Sequence, residues 1–304
     1  MIGISSNFAL LAHQSPRQRT KLACSKSARI APHRDVHRTR LSCSANLYEG
    51  PVVVHLFEDC SGSPVFGQGG KGFLEGLFHV AEVARSHPAY DKSLLHQAVV
   101  TEEPEKGEWL FCNMILYNPV EEGVVGLYAK QNDYLDAIEY GVPDAHHAVL
   151  ASEIAVFPEG SVSALRADSP AVVTDEDLVA FAAFKIGSAG DEADWETWSG
   201  VQKIQEHPSF RSAGLYKCGG LVETFQYVLR VMFSGPLDDE ARVALFADLR
   251  SAIPGDPEDV RTGLYEIMFD IPKDGSPVGV IAGKKTAADV ASGKIKKEDL
   301  EQDE

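Results

Sequence analysis

The sequence predicts an α+β fold made of two tandem ferredoxin-like (βαββαβ) units whose sheets pack face to face as an α+β barrel within one chain. The first observation behind this is an internal repeat. His87-Pro88-Ala89-Tyr90 returns as His207-Pro208-Ser209-Phe210, each closing an amphipathic stretch and each followed by two strand-like runs. Leu95-His96 answers Leu215-Tyr216, Ile115-Leu116-Tyr117 answers Val231-Met232-Phe233, and the run from Glu153 to Pro158 stands beside that from Glu266 to Pro272. Self-similarity at a fixed spacing is the mark of a repeated supersecondary unit. The second observation is the order of elements, which in both copies reads strand, helix, strand, strand, helix, strand. The third is that the strands are apolar on both faces: Phe181 and Ala183 alternate with Ala182 and Phe184. Helices cover one face of such a sheet, and the other face needs a second layer, which the sibling sheet supplies.

Element by element, Val52 to Phe57 makes the first strand, and a glycine-rich connection from Cys60 to Gly72 leads into a helix carrying Phe73, Leu77, Val80, Ala81 and Ala84 on one side. Pro88 ends that helix, because proline lacks the next N–H and disfavours helical geometry before it. Strands at Leu94–Thr101 and Trp109–Tyr117 flank a charged turn. Pro119 opens a second helix with Val124, Leu127, Tyr128, Leu135 and Ile138 inward, and Ala148–Phe157 closes the unit. The second copy reads as strand Leu178–Ile186, helix Asp194–Glu206, strands Gly214–Cys218 and Thr224–Phe233, helix Asp238–Ile253 and strand Gly263–Ile271. Asp238, Asp239 and Glu240 sit where the helix dipole favours negative charge.

The domain boundaries expected are a transit peptide at 1–45, units at 46–160 and 176–272 joined by a linker at 161–175, and a flexible charged tail at 273–304. The first 45 residues hold eight Arg or Lys against Asp35 alone, with no apolar core of a secretory signal. That composition points to organellar import, to the chloroplast stroma first and the mitochondrion as the alternative. The chain carries a formal charge of −17, and without the basic leader the remainder is near −24. So acidic a surface repels nucleic acid and anionic lipid. No apolar run is long enough to span a membrane as a helix. Cys60, Cys112 and Cys218 stand singly and frame neither a zinc site nor a disulfide set.

Polar residues that interrupt apolar strands are the candidates for chemistry, since the space between two sheets is a natural pocket. His55, Glu153 and Glu266 are candidate catalytic groups; Asn113, Arg230, Trp109, Tyr227 and Tyr216 are candidate substrate contacts. A carboxylate beside Arg or His in an apolar enclosure has a shifted proton affinity and suits acid-base work. The repeated His87 and His207, each before proline at a helix end, read as geometric. No metal site is expected.

Pro208-Ser209-Phe210-Arg211-Ser212-Ala213-Gly214-Leu215-Tyr216, with Trp195 fifteen residues before Phe210, resembles a stretch found in EthD-type members of the dimeric α+β barrel superfamily. The resemblance covers about a third of the second copy and implies the barrel fold. Where those relatives carry a histidine this chain has Gly200. The superfamily implies a menu of cofactor-free oxygenases, cyclases, lyases, haem-binding enzymes and stress proteins, and fold alone does not choose among them. The first reading is a plastid enzyme that encloses a small hydrophobic or aromatic molecule and moves protons on it, without a cofactor. The second is a non-catalytic binding or assembly protein with a protein partner. The third is a haem or tetrapyrrole binder using His55, His96 or His207.

Overall fold

The computed structural model describes residues 46–57, 81, 84–102, 109, 111–119, 146–166, 169, 177–219, 225–274 and 278–279. These fall in the unit Leu41–Glu304. The strands are β1 (Val52–Phe57), β2 (Tyr90–Thr101), β3 (Phe111–Tyr117), β4 (His146–Phe157), β5 (Leu178–Lys185), β6 (Phe210–Cys218), β7 (Phe225–Phe233), β8 (Val260–Pro272) and the short β9 (Val278–Gly279). They pair in the order β2-β3-β1-β4-β6-β7-β5-β8-β9, and β8 pairs back onto β2. Eight antiparallel strands therefore close into a barrel, in which β4–β6 and β2–β8 are the seams between an N-terminal and a C-terminal group of four. Closure removes the open edges that a single four-stranded sheet would present.

Alternation along each strand decides what fills the barrel. Val52, Val54 and Leu56 of β1, Cys112, Met114 and Leu116 of β3, Val179, Phe181 and Ala183 of β5, and Val228 and Met232 of β7 belong to one buried cluster to which all eight strands contribute. That cluster is the interior. A second cluster lies on the outer face of the C-terminal strands, where Leu178, Ala180, Ala182, Phe184, Leu229, Val231 and Phe233 meet the helices. Both faces of β5 and β7 are thus covered, as the unbroken apolar runs require. Each large apolar side chain so buried contributes about 1.5–3 kcal/mol.

The helices on that outer face are α1 (Trp195–Trp198), α2 (Val201–Ile204) and α3 (Asp239–Ala252), with a 3-10 turn at Glu192–Asp194. The helix expected over Asp194–Glu206 is thus broken in two. Gly200 sits in the left-handed region at φ 79°, and a Cβ there would lie 2.4 Å from the Ala252 carbonyl oxygen. The chain turns at Gly200 so that both short helices and α3 share one surface. Asp238 caps α3 by accepting from the Ala241 N–H at 2.8 Å. In the first copy, Ala81, Ala84 and Arg85 are helical. The rest of that expected helix, the glycine-rich connection and the helix after Pro119 lie outside the described residues, as do 1–45 and, apart from β9, the tail beyond Asp274.

The two histidine–proline corners are built alike. His87 Nδ1 accepts from the Ala89 N–H at 3.1 Å, and His207 Nδ1 accepts from the Ser209 N–H at 3.2 Å. Each ring stands edge-on to an aromatic residue at the end of the third strand of its half, His87 to Tyr117 and His207 to Phe233, both at 5.9 Å. Each histidine spends a ring nitrogen turning the chain out of a helix and into β2 or β6, which therefore start at Tyr90 and Phe210, four residues earlier than hydrophobic patterning predicts.

Of the segment expected as a linker, residues 161–166 and 169 are described. Leu165 is buried in the interior cluster, and so is Tyr48 from the approach to β1. Ser163 N–H donates to the Asn46 carbonyl, which ties the two segments together.

Candidate functional site

Glu153 interrupts the apolar face of β4, and its environment explains why a carboxylate is tolerated there. It is 6% exposed and takes a hydrogen bond from each of three segments. The Tyr48 N–H donates to Oε2 at 2.6 Å, Ser163 Oγ to Oε1 at 3.0 Å, and the Tyr216 hydroxyl to Oε1 at 2.9 Å. Burial pushes the Glu153 carboxyl above the usual carboxylate range; the three donors and the Arg230 charge pull it back. Burial, and then the neighbouring Glu153, push the Tyr216 phenol well above its ordinary value. Gly214 leaves the room these groups need: a Cβ there would lie 2.7 Å from Glu153 Oε1 and 3.1 Å from the Tyr216 hydroxyl.

Arg230 lies across β7 from Gly214 and is 3% exposed. It interacts through space with Tyr216, Glu153 and Cys112, while burial lowers its hold on its proton. Among the described residues its Nε and Nη2 have no hydrogen-bond partner. A cavity of about 10 Å³ opens beside it, lined among others by Glu153, Ser161, Ser163, Ser212 and Tyr216. That is room for about one water molecule, which needs roughly 10–15 Å³.

On the far side of Arg230 stand His96 and Cys112. His96 is fully buried, with Nδ1 3.1 Å from the Cys112 carbonyl oxygen and its ring edge-on to Phe181 at 5.0 Å. Nδ1 therefore carries the proton, which leaves Nε2 as a bare acceptor, and Nε2 has no partner. Burial, and then the Arg230 charge, lower the His96 pKa to about 3. The Cys112 thiol is raised by burial and stays protonated.

The residues singled out from sequence fall into three places. Glu153, Tyr216 and Arg230 come together in the interior. His55 and Asn113 come together as well, but on the opposite face: they pair across β1 and β3, between the inward Val54 and Leu56 and the inward Cys112 and Met114. Asn113 Oδ1 there accepts from Ser93 Oγ at 2.7 Å. Period-two alternation puts these polar groups outside the barrel once valines take the inside.

Glu266 also faces outward, paired with Arg242 of α3 at 2.6 Å. Tyr227 faces the outer helices, where its hydroxyl donates to Glu192 at 2.7 Å; burial and that carboxylate push it up to about 12. Trp109 closes on Phe225, edge-on at 5.8 Å, from a left-handed backbone at φ 60°. None of these three, nor the His55–Asn113 pair, lines the cavity.

Sequence patterning missed Tyr48 and Ser163, which precede and follow strands and carried no pattern, and it weighed His96 only as a metal ligand. The signal for His96 was its match to Tyr216 in the repeat.

Among the described residues no group of three or more His, Cys, Asp and Glu is placed to hold a metal ion. His207 is committed to its corner, and His96 is fully buried with Phe181 edge-on against its ring, so neither presents an open face to a tetrapyrrole.

No protein-family model matches the chain, and no curated protein does. Solved structures give distant likenesses. An anthrone oxidase-like protein matches with TM-score 0.49 at 12% identity, covering 75% of this chain and 94% of its own. A protein described as a monooxygenase, from Fusobacterium nucleatum, matches with TM-score 0.40 at 12% identity over 76% of this chain and 98% of its own. One described as a chlorite dismutase matches with TM-score 0.41 at 9% identity, over 72% and 95%. The fold itself is an eight-stranded antiparallel α+β barrel with a buried Glu–Tyr–Arg group.

Proposed function

We propose that this chain is a plastid-addressed tandem duplication of a ferredoxin-like unit, related to the EthD-like dimeric α+β barrels, that binds a small hydrophobic molecule inside its barrel and moves a proton on it. The observation that carries this reading is the meeting of Glu153, Tyr216 and Arg230 in an apolar interior beside a cavity. Desolvation raises the carboxylate's proton affinity toward the range where it works as a base near neutral pH. In the proposed step an acidic C–H or O–H of the ligand gives its proton to Glu153, directly or through the Tyr216 hydroxyl. Arg230 holds the oxygen on which negative charge develops, and the proton returns to the rearranged product, so the reaction is balanced without a co-reactant. Ring closure of the anion onto a carbonyl of the same molecule, with the returning proton on that oxygen, gives the cyclase-type outcome, and β-elimination, with the returning proton on the leaving group, gives the lyase-type one.

The test is exchange of carbon-bound hydrogen in D2O on a panel of small phenols, ketones and enolisable short-chain carboxylic acids. Saturable exchange that falls at least about tenfold in Glu153→Gln and in Arg230→Met supports the reading. Exchange at the solvent rate across the panel overturns it. Import is tested separately by fusing residues 1–45 to a fluorescent reporter, with retention in the cytosol as the negative result.

A second reading is favoured by two facts: the cavity is about 10 Å³, and both oxygens of Glu153 are already engaged. In this reading Glu153 is a structural clamp in a non-catalytic plastid binding or assembly protein. It is sustained if the panel gives neither exchange nor binding and the chain co-purifies with a stoichiometric protein partner at its native concentration.

A further inference from the structure

We infer that the Nε–Nη2 edge of Arg230 is a receptor for a carboxylate, so that the barrel's ligand is a short monocarboxylic acid entering acid group first. The inference rests on reading the interior as a ligand site, and it names what kind of molecule that site takes.

Arg230 sits in the middle of β7 between Val228 and Met232, and all three face the barrel interior. The two N–H groups without an acceptor, Nε and Nη2, lie on the same edge of the planar guanidinium. Their spacing matches the two oxygens of a carboxylate, the arrangement that makes arginine the preferred partner of that group. A buried guanidinium with that edge empty is costly, because the charge has lost its water and two donors have gained nothing.

Among the described residues, groups inside the barrel do not answer it. Glu153 is the carboxylate among them with which Arg230 interacts, and its oxygens are taken by Tyr216, Ser163 and the Tyr48 N–H. The Tyr216 hydroxyl has spent its proton on Glu153. His96 offers a single lone pair at Nε2, and Cys112 a protonated thiol; neither presents two oxygens. The side chains that line the cavity with Arg230 include Ser161 and Ser212, hydroxyls that can donate to an acid's oxygens.

Size sets the class of acid. With about 10 Å³ free beside Arg230, the space as it stands holds about one water, so the smallest carboxylates are the acids that can enter, with the lining serine side chains giving way, and an aryl ring would need a larger rearrangement. Formate and acetate are therefore the probes.

The experiment is calorimetric titration of the full chain with sodium acetate and sodium formate, with acetamide as the neutral isostere and sodium chloride matching ionic strength. Saturable binding of the acids, with acetamide weaker by at least about tenfold, is expected. Arg230→Met removes acid binding and Arg230→Lys keeps part of it. Should Arg230→Met fail to fold, the Arg230 Nε–H resonance of the unmodified protein replaces it, and acetate shifts that resonance while acetamide does not. Equal binding of acetate and acetamide, full binding by Arg230→Met, or an Nε–H resonance that ignores acetate overturns the inference. Acetate binding together with no proton exchange on the ligand panel upholds the carboxylate receptor while removing the catalytic reading, so the two fail separately.

Discussion

The two seams of the barrel occupy matching places and hold opposite chemistry. At the β4–β6 seam Glu153 pairs in register with Tyr216; at the β2–β8 seam Ile267 pairs with His96. Counting register from the paired strands puts Glu153 and Ile267 at one place in the two halves, and Tyr216 and His96 at another. Both seams even carry a bulge at the next residue, Ile154 in the one and Met268 in the other. Where the carboxylate is present, three donors converge and both its oxygens are engaged. Where isoleucine replaces it, His96 keeps its Nε2 lone pair without a partner and stays neutral. One frame thus supports a saturated polar site and an unsaturated one, with Arg230 between them. The lesson is that backbone geometry fixes where a polar group can reach the interior, and a single side chain decides whether it is satisfied there.

The largest effect expected is at the saturated seam. Glu153→Ala leaves the Tyr48 N–H buried without an acceptor and removes the charge nearest Arg230. Breaking a buried pair in this way costs about 3–5 kcal/mol, read as a drop in urea midpoint at constant slope. Ile267→Ala at the matching place loses packing alone, about 2–4 kcal/mol, and a cost equal to or above that of Glu153→Ala would show that the three hydrogen bonds contribute nothing.

Next comes a pair of substitutions one step along the neighbouring strands, where Gly214 and Leu94 match. Gly214→Ala thrusts a Cβ to within 2.7 Å of Glu153 Oε1 and costs about 1–3 kcal/mol by overpacking. Leu94→Ala, at the unsaturated seam, costs about 2–3 kcal/mol through the opposite fault, an emptied volume. Thermal melts of both variants, with Tyr216→Phe as a second probe of the Glu153 position, tell the two faults apart. A Gly214→Ala protein as stable as wild type would mean that the carboxylate has room to retreat.

Much of this frame was legible in the chain. The histidine–proline corners recur in both halves, and His96 and Tyr216 fall at corresponding register positions, His96 against Ile267 and Tyr216 against Glu153, because both follow from the same local turn. The alignment of Glu153 with Glu266 was off by one: by register Glu266 matches the exposed Ser152, so Glu266 points outward to Arg242 while Glu153 points in. A shift of one residue in a strand exchanges its faces. His55 and Asn113 were misplaced for a related reason. When both faces of a strand are apolar, alternation says that His55 opposes Val54 and Leu56 but not which of the two sets lines the barrel. The clamp formed by Tyr48 and Ser163 had no periodic signal at all, since both lie on connecting segments whose contacts are set by barrel closure.

The finest distinction between the seams is their response to acid. Glu153 has a folded-state proton affinity raised above 4.5, so the folded state binds more protons than the unfolded one above that pH, and its contribution to stability declines as pH rises from about 4.5. His96 has its pKa lowered from 6.5 to about 3, so between those values the unfolded state binds more protons, and stability is lost as pH falls from 6.5 toward 3. The two seams therefore tilt the stability curve in opposite directions. His96→Leu at pH 7 should change stability by no more than about 1 kcal/mol, because losing the Nδ1 hydrogen bond to Cys112 is offset by removing an unsatisfied buried nitrogen. As the pH is lowered, the variant should overtake wild type, with the gap widening down to about pH 3. Urea titrations at pH 7, 5.5 and 4 measure it, and Arg230 and Cys112, the groups facing His96, are unchanged in the variant. A gap that stays constant with pH would mean that His96 titrates alike in both states, and the unsaturated seam would then differ from its twin in shape alone.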